Sequence, residues 1–212
     1  MSVYKLTYLN VPALAEPIRF LLSYLEIDFE DIRYESEEWP TVKTKIPLPF
    51  GKIPVLEIDG KMLNQSTAIC RYLSKKAGLA GSDEWESLLI DITVDNFNDF
   101  RQTFRTYILD VTAKESKPEK YKTFINEIIP FYMNRFENTV GENNGYFVNG
   151  KLSWADIYFV AIIDFFSYVG KVDLLEDRPN LQALKKKILE IPQIKSWITK
   201  RPAFSYEVTS DN

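Results

Sequence analysis

The sequence predicts two domains of different class, an α/β domain over residues 1–79 and an all-helical domain over residues 83–212. Three observations predict this. Strand-like and helix-like runs alternate up to about residue 77. The small residues of Ala77-Gly78-Leu79-Ala80-Gly81-Ser82 then break the pattern, and helical periodicity fills the chain beyond them.

The elements follow in order. Tyr4-Lys5-Leu6-Thr7-Tyr8-Leu9, rich in aromatic and branched residues, reads as a strand and is followed by the loop Asn10-Val11-Pro12. Pro17 suits the first turn of a helix whose apolar residues Ile18, Leu21, Leu22 and Leu25 recur at i, i+3, i+4 and i+7. Asp28 to Tyr34 returns as a second strand. After the proline-rich Ile46-Pro47-Leu48-Pro49, the run Ile53 to Ile58 is a third strand. Asp59-Gly60 turns it back into Lys61-Met62-Leu63, and Ser66 to Lys75 is helical. The order β-α-β then β-β-α has a thioredoxin-like plan, without the Cys-x-x-Cys of a dithiol oxidoreductase.

Beyond the linker, Asp83 with Glu86 forms a capping-box pattern, and no proline interrupts the chain until Pro118, which permits a long helix. A second helix is expected from about Lys120 to Val140, bent at Pro130. Ser153 as N-cap and Asp156 at N3 open a helix whose run Tyr158 to Val169 is apolar on nearly all sides, as a central buried helix requires. Shorter helices over Leu181–Leu189 and Pro192–Lys200 finish the chain.

Composition removes several function classes. A net charge of −4, from 26 basic and 30 acidic residues without a long basic cluster, argues against nucleic acid and anionic membranes as partners. No apolar run reaches the ~18 residues of a membrane span. The opening MSVYKLTYLNVPA has neither the basic start nor the apolar stretch of a signal peptide. One cysteine, Cys70, allows no intrachain disulfide, so a cytoplasmic location is expected. The absence of histidine excludes Ser-His-Asp and Cys-His catalysis and nearly every zinc site. Polar chemistry must come from Tyr, Ser, carboxylates, Lys or Arg, or from a thiol that the substrate brings.

YKLTYLN near the start, AEPIRFLL, Trp39 with Lys43, FGKIPVLEIDG, NQSTAICRYL, DNFNDF and LSWADIYF occur in this order between about Tyr4 and Arg201. In these segments the chain resembles the cytosolic glutathione transferases, and among them the sigma class of invertebrates and of vertebrate prostaglandin D synthase. The resemblance implies a thioredoxin-like N-terminal domain, an all-α C-terminal domain and a homodimer. It also implies glutathione as cosubstrate and conjugation of its thiolate to hydrophobic electrophiles in detoxification, such as aromatic halides or lipid-derived enals. A glutathione-dependent prostaglandin-type isomerase or peroxidase is the alternative enzyme. A weakly active structural or ligand-carrying relative, like the lens S-crystallins, is the alternative of another class.

The chemistry fits a chain without imidazole. At a thiol pKa of about 8.5 only about 3% of free glutathione is ionised at pH 7, and a pKa lowered by about two units, roughly 2.7 kcal/mol, ionises about three-quarters. Hydrogen bonding to the thiolate achieves this, because the thiolate is the reactive form. On spacing alone, Tyr4, Leu6 and Tyr8 alternate as the core face of a strand; the resemblance implies instead that the Tyr8 phenol is the thiol's hydrogen-bond donor. Gln65-Ser66 reads as a plain serine cap, or as a helix N-terminus that receives an anion; the resemblance places the γ-glutamyl carboxylate there. It gathers Trp39, Lys43 and Lys52 at the glycine carboxylate. Ile53-Pro54 is expected to be cis, presenting the Ile53 backbone to the tripeptide; a trans bond would make Pro54 an edge-strand proline.

Asp99 is either a surface carboxylate or, by resemblance, the group that reaches the glutathione of the partner subunit. Asp95 and Asp99 share a helix face, and Asn98 stands among them where the prostaglandin D synthases gather carboxylates around a divalent metal, so no required metal is expected. Leu14 departs from the family, whose members commonly carry an arginine near the thiol at this place. Thiol activation is then weaker, or Arg101 or Arg105 compensates; the change bears on isomerase activity more than on glutathione binding. Leu14, Arg101, Phe104, Arg105 and Tyr107 are the candidates for the electrophile pocket. Arg19, Ser153 and Asp156 are expected to be structural, and Cys70 to pack as a small hydrophobe.

Overall fold

The computed structural model describes residues 2–109 and 117–204. Positions 205–212 of the predicted helical domain lie outside the described residues. The chain divides into two compact units, Met1–Leu79 together with Glu190–Asn212, and Ala80–Leu189. The break after Leu79 coincides with the predicted linker. The segment from Glu190 onward packs with the first unit, a placement that its helical texture did not reveal.

In the first unit a four-stranded sheet of order β2-β1-β3-β4 is formed by β1 (Tyr4–Leu9), β2 (Phe29–Tyr34), β3 (Val55–Ile58) and β4 (Lys61–Asn64). β1 pairs parallel with β2 and antiparallel with β3, and β3 pairs antiparallel with β4. The parallel pair needs a crossover, supplied by a 3-10 turn (Ala13–Ala15) and α1 (Glu16–Tyr24). Ile18, Leu21 and Leu22 are buried, as their spacing predicts. The hairpin between β3 and β4 needs two positive φ angles. Asp59 and Gly60 provide them at 48° and 80°, and the Asp59 carboxylate ties the turn to Val3 N–H at 2.8 Å. α2 (Trp39–Val42), α3 (Ser66–Lys76) and α9 (Pro192–Lys200) complete the unit, with α1 packed on both α3 and α9.

The second unit is helical throughout its described residues. It contains α4 (Glu84–Phe104), α5 (Lys117–Thr123), α6 (Ile129–Glu142), α7 (Trp154–Gly170) and α8 (Pro179–Leu189). Its core is aromatic: the Phe97 ring meets Phe136, Phe147 and Phe159 at 4.8, 4.9 and 5.2 Å between centroids. Pairs of this kind add about 0.5–1.5 kcal/mol each beyond burial. The bend expected at Pro130 takes the form of a π-helical turn, Phe124–Ile128, between α5 and α6. Pro130 has no N–H for the carbonyl of Asn126, and the widened turn precedes that missing bond. A second π turn, Arg105–Leu109, continues α4.

Both predicted capping patterns are present, one with a changed partner. Asp83 accepts from Glu86 N–H at 2.8 Å, but Glu86 does not return to Asp83. Its carboxylate accepts from Ser82 N–H at 2.7 Å and Ser82 Oγ at 2.5 Å, and pairs with Lys151 at 2.9 Å. The Ser82 hydroxyl, Lys151 and the Ser82 amide hold the Glu86 pKa down at about 2. In α7 the Asp156 carboxylate accepts from Ser153 N–H at 2.7 Å, Ser153 Oγ at 2.8 Å and Phe147 N–H at 2.9 Å. It thereby caps the helix and pins the preceding loop. Burial pushes Asp156 up to about 6, against the pull of the donors it accepts.

Two predictions follow from these carboxylates. Asp156→Ala strands two buried amide donors and is expected to cost about 2–4 kcal/mol in urea unfolding, with the m-value unchanged. Glu86 binds protons less readily in the folded chain. Its stabilisation is therefore fully present above about pH 4.5 and lost as pH falls through about 2. The difference in thermal midpoint between wild type and Glu86→Gln should shrink across that window and stay constant from pH 5 to 7.

Candidate active site

Strand register assembles the site at one end of the sheet. Thr7 of β1 pairs with Val55 of β3, and Val55 pairs with Asn64 of β4. This row is where β3 begins and β4 ends, two residues before the end of β1. Tyr8 lies one residue beyond it on β1, Pro54 one residue before it on β3, and Gln65-Ser66 immediately follow it after β4. Tyr8 is 8% exposed and belongs to the buried face with Tyr4 and Leu6. The Ile53–Pro54 bond is cis, as expected.

The start of α3 differs from an ordinary capped helix. Gln65, not Ser66, is the N-cap; it makes no side-chain cap hydrogen bond, and Ser66 is the first helical residue. The backbone at Gln65 is left-handed, with φ 70° and ψ 97°, a conformation that costs a non-glycine residue about 1–3 kcal/mol. Ser66 is 9% exposed. The plain serine cap considered from sequence is thus not what the chain builds. The positive end of the helix dipole lies at this start, as at any helix N-terminus.

Trp39 opens α2 and lies 6.0 Å from the Tyr34 ring. Tyr34 is the β2 partner of Leu9, so Trp39 flanks the same end of the sheet. Lys43 caps α2 at its C-terminus and is exposed. A Cβ placed on Gly51 would lie 3.8 Å from Lys43 Cε, which brings Lys43 beside the segment carrying the exposed Lys52. Leu14 is half-buried in the 3-10 turn before α1. Two concavities of the first unit, of about 430 and 460 Å³, are lined by neither Tyr8 nor Lys52 nor Ser66. One borders Glu26, Asp28, Trp197 and Lys200, the other Met62, Leu63, Ala68 and Tyr72.

The remaining candidates belong to the second unit. Asp95 and Asp99 are both exposed on α4. Asn98 is turned inward, its carbonyl accepting from Tyr158 O–H at 3.2 Å and its environment half-buried. Among the described residues no three His, Cys, Asp or Glu side chains stand where they could share a metal ion. Arg101 and Tyr107 are half-buried and Arg105 is exposed. Phe104 requires a correction: it is 1% exposed, with Phe124 and Phe166 at 5.4 and 4.9 Å, and Gly170 packs against its ring. It is core, as aromatic residues at helical spacing usually are, and is withdrawn from the electrophile pocket. Cys70 is fully buried and burial raises its thiol pKa, so the chain's one thiol is not a nucleophile.

Arg33 was missed from sequence. It is the β2 partner of Tyr8, on the same face of the sheet, and its side chain is 9% exposed. The signal was available: Asp31 and Arg33 alternate on a strand beside an apolar one, which places charge where core is expected. No helix among the described residues is long and apolar enough to cross a membrane.

Comparison with known proteins agrees with this geometry. The profile of the glutathione S-transferase N-terminal domain matches residues 4–75, and that of the C-terminal domain matches residues 98–201. A glutathione S-transferase of Anopheles gambiae is 48% identical over 204 residues, 95% of this chain and 98% of that protein. The human hematopoietic prostaglandin D synthase is 39% identical over 206 residues, with 95% and 98% covered. The structure of prostaglandin synthase D of Nilaparvata lugens superposes with a TM-score of 0.89 at 49% identity, covering 95% of this chain and 99% of that one. With both profiles matched and identities of this size along nearly the whole chain, this protein belongs to the glutathione S-transferase family, enzymes that use glutathione as cosubstrate.

Proposed function

We propose that the chain is a sigma-class, cytoplasmic glutathione transferase that conjugates the thiolate to hydrophobic electrophiles in detoxification, with Tyr8 as the group that keeps the sulfur ionised. The single observation that supports this is the row Thr7–Val55–Asn64, because Tyr8, the cis Ile53–Pro54 bond and Gln65-Ser66 are the residues next to it on the three strands. The γ-glutamyl carboxylate takes the N–H groups and hydroxyl at Gln65-Ser66. The Ile53 backbone pairs with the tripeptide, and the glycine carboxylate faces Trp39, Lys43 and Lys52. Tyr8 O–H donates to the thiolate and the thiol proton leaves to solvent. The thiolate then attacks the electrophile, whose leaving group departs or whose double bond takes up a proton. Every step is met by phenol, hydroxyl, amide and ammonium groups, so no metal is required. Leu14, Arg101, Arg105 and Tyr107 remain the candidates for contact with the electrophile.

The prostaglandin D synthase relatives favour a second reading, isomerisation of a lipid endoperoxide by the same thiolate. Leu14, apolar where an arginine is common in the family, weighs against it. Tyr8→Phe tests the first reading. The bound thiol's pKa should rise by about two units and conjugation of a chloronitrobenzene at pH 7 should fall about 25-fold, with glutathione affinity kept within about threefold. An unchanged thiol pKa in that variant would sink the assignment. Assaying the same preparations with a prostaglandin endoperoxide separates the two readings.

The chain is also proposed to act as a homodimer, in which Asp99 of one copy reaches the glutathione amino group of the other. Trp85, Leu88 and Ile92 recur at i, i+3 and i+7 on α4 and are 69%, 46% and 48% exposed, an apolar stripe that a monomer would leave in water. Sedimentation should find a dimer in wild type and a monomer in Trp85→Glu/Ile92→Glu. A wild-type monomer at micromolar concentration would overturn this.

A further inference from the structure

The proposed mechanism leaves a cluster of buried charge behind Tyr8 without a task. Arg33, the cross-strand partner of Tyr8, donates from Nε to Asp31 Oδ2 at 2.7 Å, and from Nη1 to Asn10 Oδ1 at 3.3 Å and to the Pro202 carbonyl at 3.1 Å. Arg19, with no exposed side-chain surface, donates from Nε to Asp31 Oδ1, and from Nη1 to Glu16 Oε2 and the Val11 carbonyl, each at 3.1 Å. The other Glu16 oxygen accepts from Trp197 Nε1 at 3.1 Å and from Arg201. Asn10 and Val11 are the two residues that follow β1. Two guanidinium groups therefore hold the chain directly after Tyr8, one through a side chain and one through a backbone carbonyl.

The far side of the same groups is held by the C-terminal end of the described chain. The Phe204 ring lies 4.6 Å from the Arg33 guanidinium carbon, 4.8 Å from that of Arg201 and 5.7 Å from that of Arg19. Arg19 Nη2 and Arg33 Nη2 are buried without a hydrogen-bond acceptor, and the electron-rich ring face is the neighbour that stabilises their charge. Among the described residues the three guanidiniums share two carboxylates, Glu16 and Asp31, and the ring and the Pro202 carbonyl add to the cluster. A buried ionic cluster is a poor source of stability compared with apolar packing, but its directional bonds define position closely.

We infer that Arg33 is a positioning residue for Tyr8, and that Arg201–Phe204 form a strap which holds Arg33, and through it the Asn10-Val11 loop, in register. The inference rests on the proposed role of Tyr8. Without the strap the guanidiniums gain water and the loop gains freedom. The phenol then loses its fixed aim at the sulfur, although the groups that bind the rest of glutathione are untouched.

The test uses the full chain with Arg33→Met, Phe204→Leu, which keeps apolar bulk but removes the ring, and Phe204→Tyr, which keeps the ring. Amide hydrogen exchange of the ligand-free protein over residues 9–15 should quicken about tenfold in Arg33→Met and Phe204→Leu, and stay at the wild-type rate in Phe204→Tyr. The ultraviolet titration of bound glutathione should show the thiol pKa raised by about one unit in the first two variants. With it kcat at pH 7 should fall about threefold, while KM for glutathione stays within about twofold. Unchanged exchange in Phe204→Leu, whose side chain is only half-buried, overturns the strap. Faster exchange with wild-type thiol pKa and kcat overturns the positioning role and leaves the cluster purely structural. Should wild type itself hold the bound thiol at its solution pKa, the role of Tyr8 fails, and the exchange measurement still decides whether the strap holds the loop.

Discussion

β1 is hydrogen-bonded on both edges, parallel to β2 and antiparallel to β3, and the rest of the site depends on that double constraint. A one-residue slip on either side would move Tyr8 from the buried face to the opposite one and separate it from Pro54. Register on the β3 side is reinforced where Asp59, directly after β3, exchanges hydrogen bonds with Val3, directly before β1: Val3 N–H donates to Asp59 Oδ1 at 2.8 Å and Asp59 N–H to the Val3 carbonyl at 3.1 Å. Register on the β2 side is reinforced by charge, because Asp31 is held by Arg19 of α1 and by Arg33 of its own strand. A phenol at the end of such a strand has little freedom, as the donor role proposed for Tyr8 requires.

The chain meets its chemical task with an unusual residue inventory. With no histidine and its single cysteine sealed in the core, it has neither an imidazole nor an accessible thiol to offer. A family that draws its sulfur from a cosubstrate has no need of either. What the protein must supply is a donor for the thiolate and sites for two carboxylates and a peptide backbone. In the proposed mechanism phenol, amide and ammonium groups fill these roles. Gln65, at the start of α3, adopts a left-handed backbone and makes no side-chain cap hydrogen bond, so this helix start differs from a conventional serine cap.

The two units solve the problem of buried polarity in different ways. In the second, single carboxylates at helix starts do several jobs. Asp156 accepts from its own helix start and from Phe147 of the preceding loop, and Glu86 joins Ser82 to Lys151. In the first, charge is pooled: Glu16, Arg19, Asp31, Arg33 and Arg201 share partners, so no member of the cluster can be changed without affecting the others.

Much of the fold was written locally and could be read from the sequence. The strand at Tyr4–Leu9, the Asp59-Gly60 turn, the Ser153/Asp156 cap and the break at the small residues after Ala77 rest on propensity, spacing and turn chemistry within a few residues. The resemblance to glutathione transferases was likewise carried by short segments in order, and the whole-chain comparisons agree with it. Tertiary structure decided what depends on residues far apart in the chain. Phe104 looked available for a ligand until Phe124 and Phe166 closed around it, and nothing local to Asn98 showed that its carbonyl accepts from Tyr158 O–H. Trp197, Arg201 and Phe204 gave no sign of belonging to the first unit, since a cation–ring contact or an ion pair across more than 160 residues leaves no periodicity in the sequence. Local physics specified the elements and one end of the sheet; only packing could determine which distant side chains hold that end still.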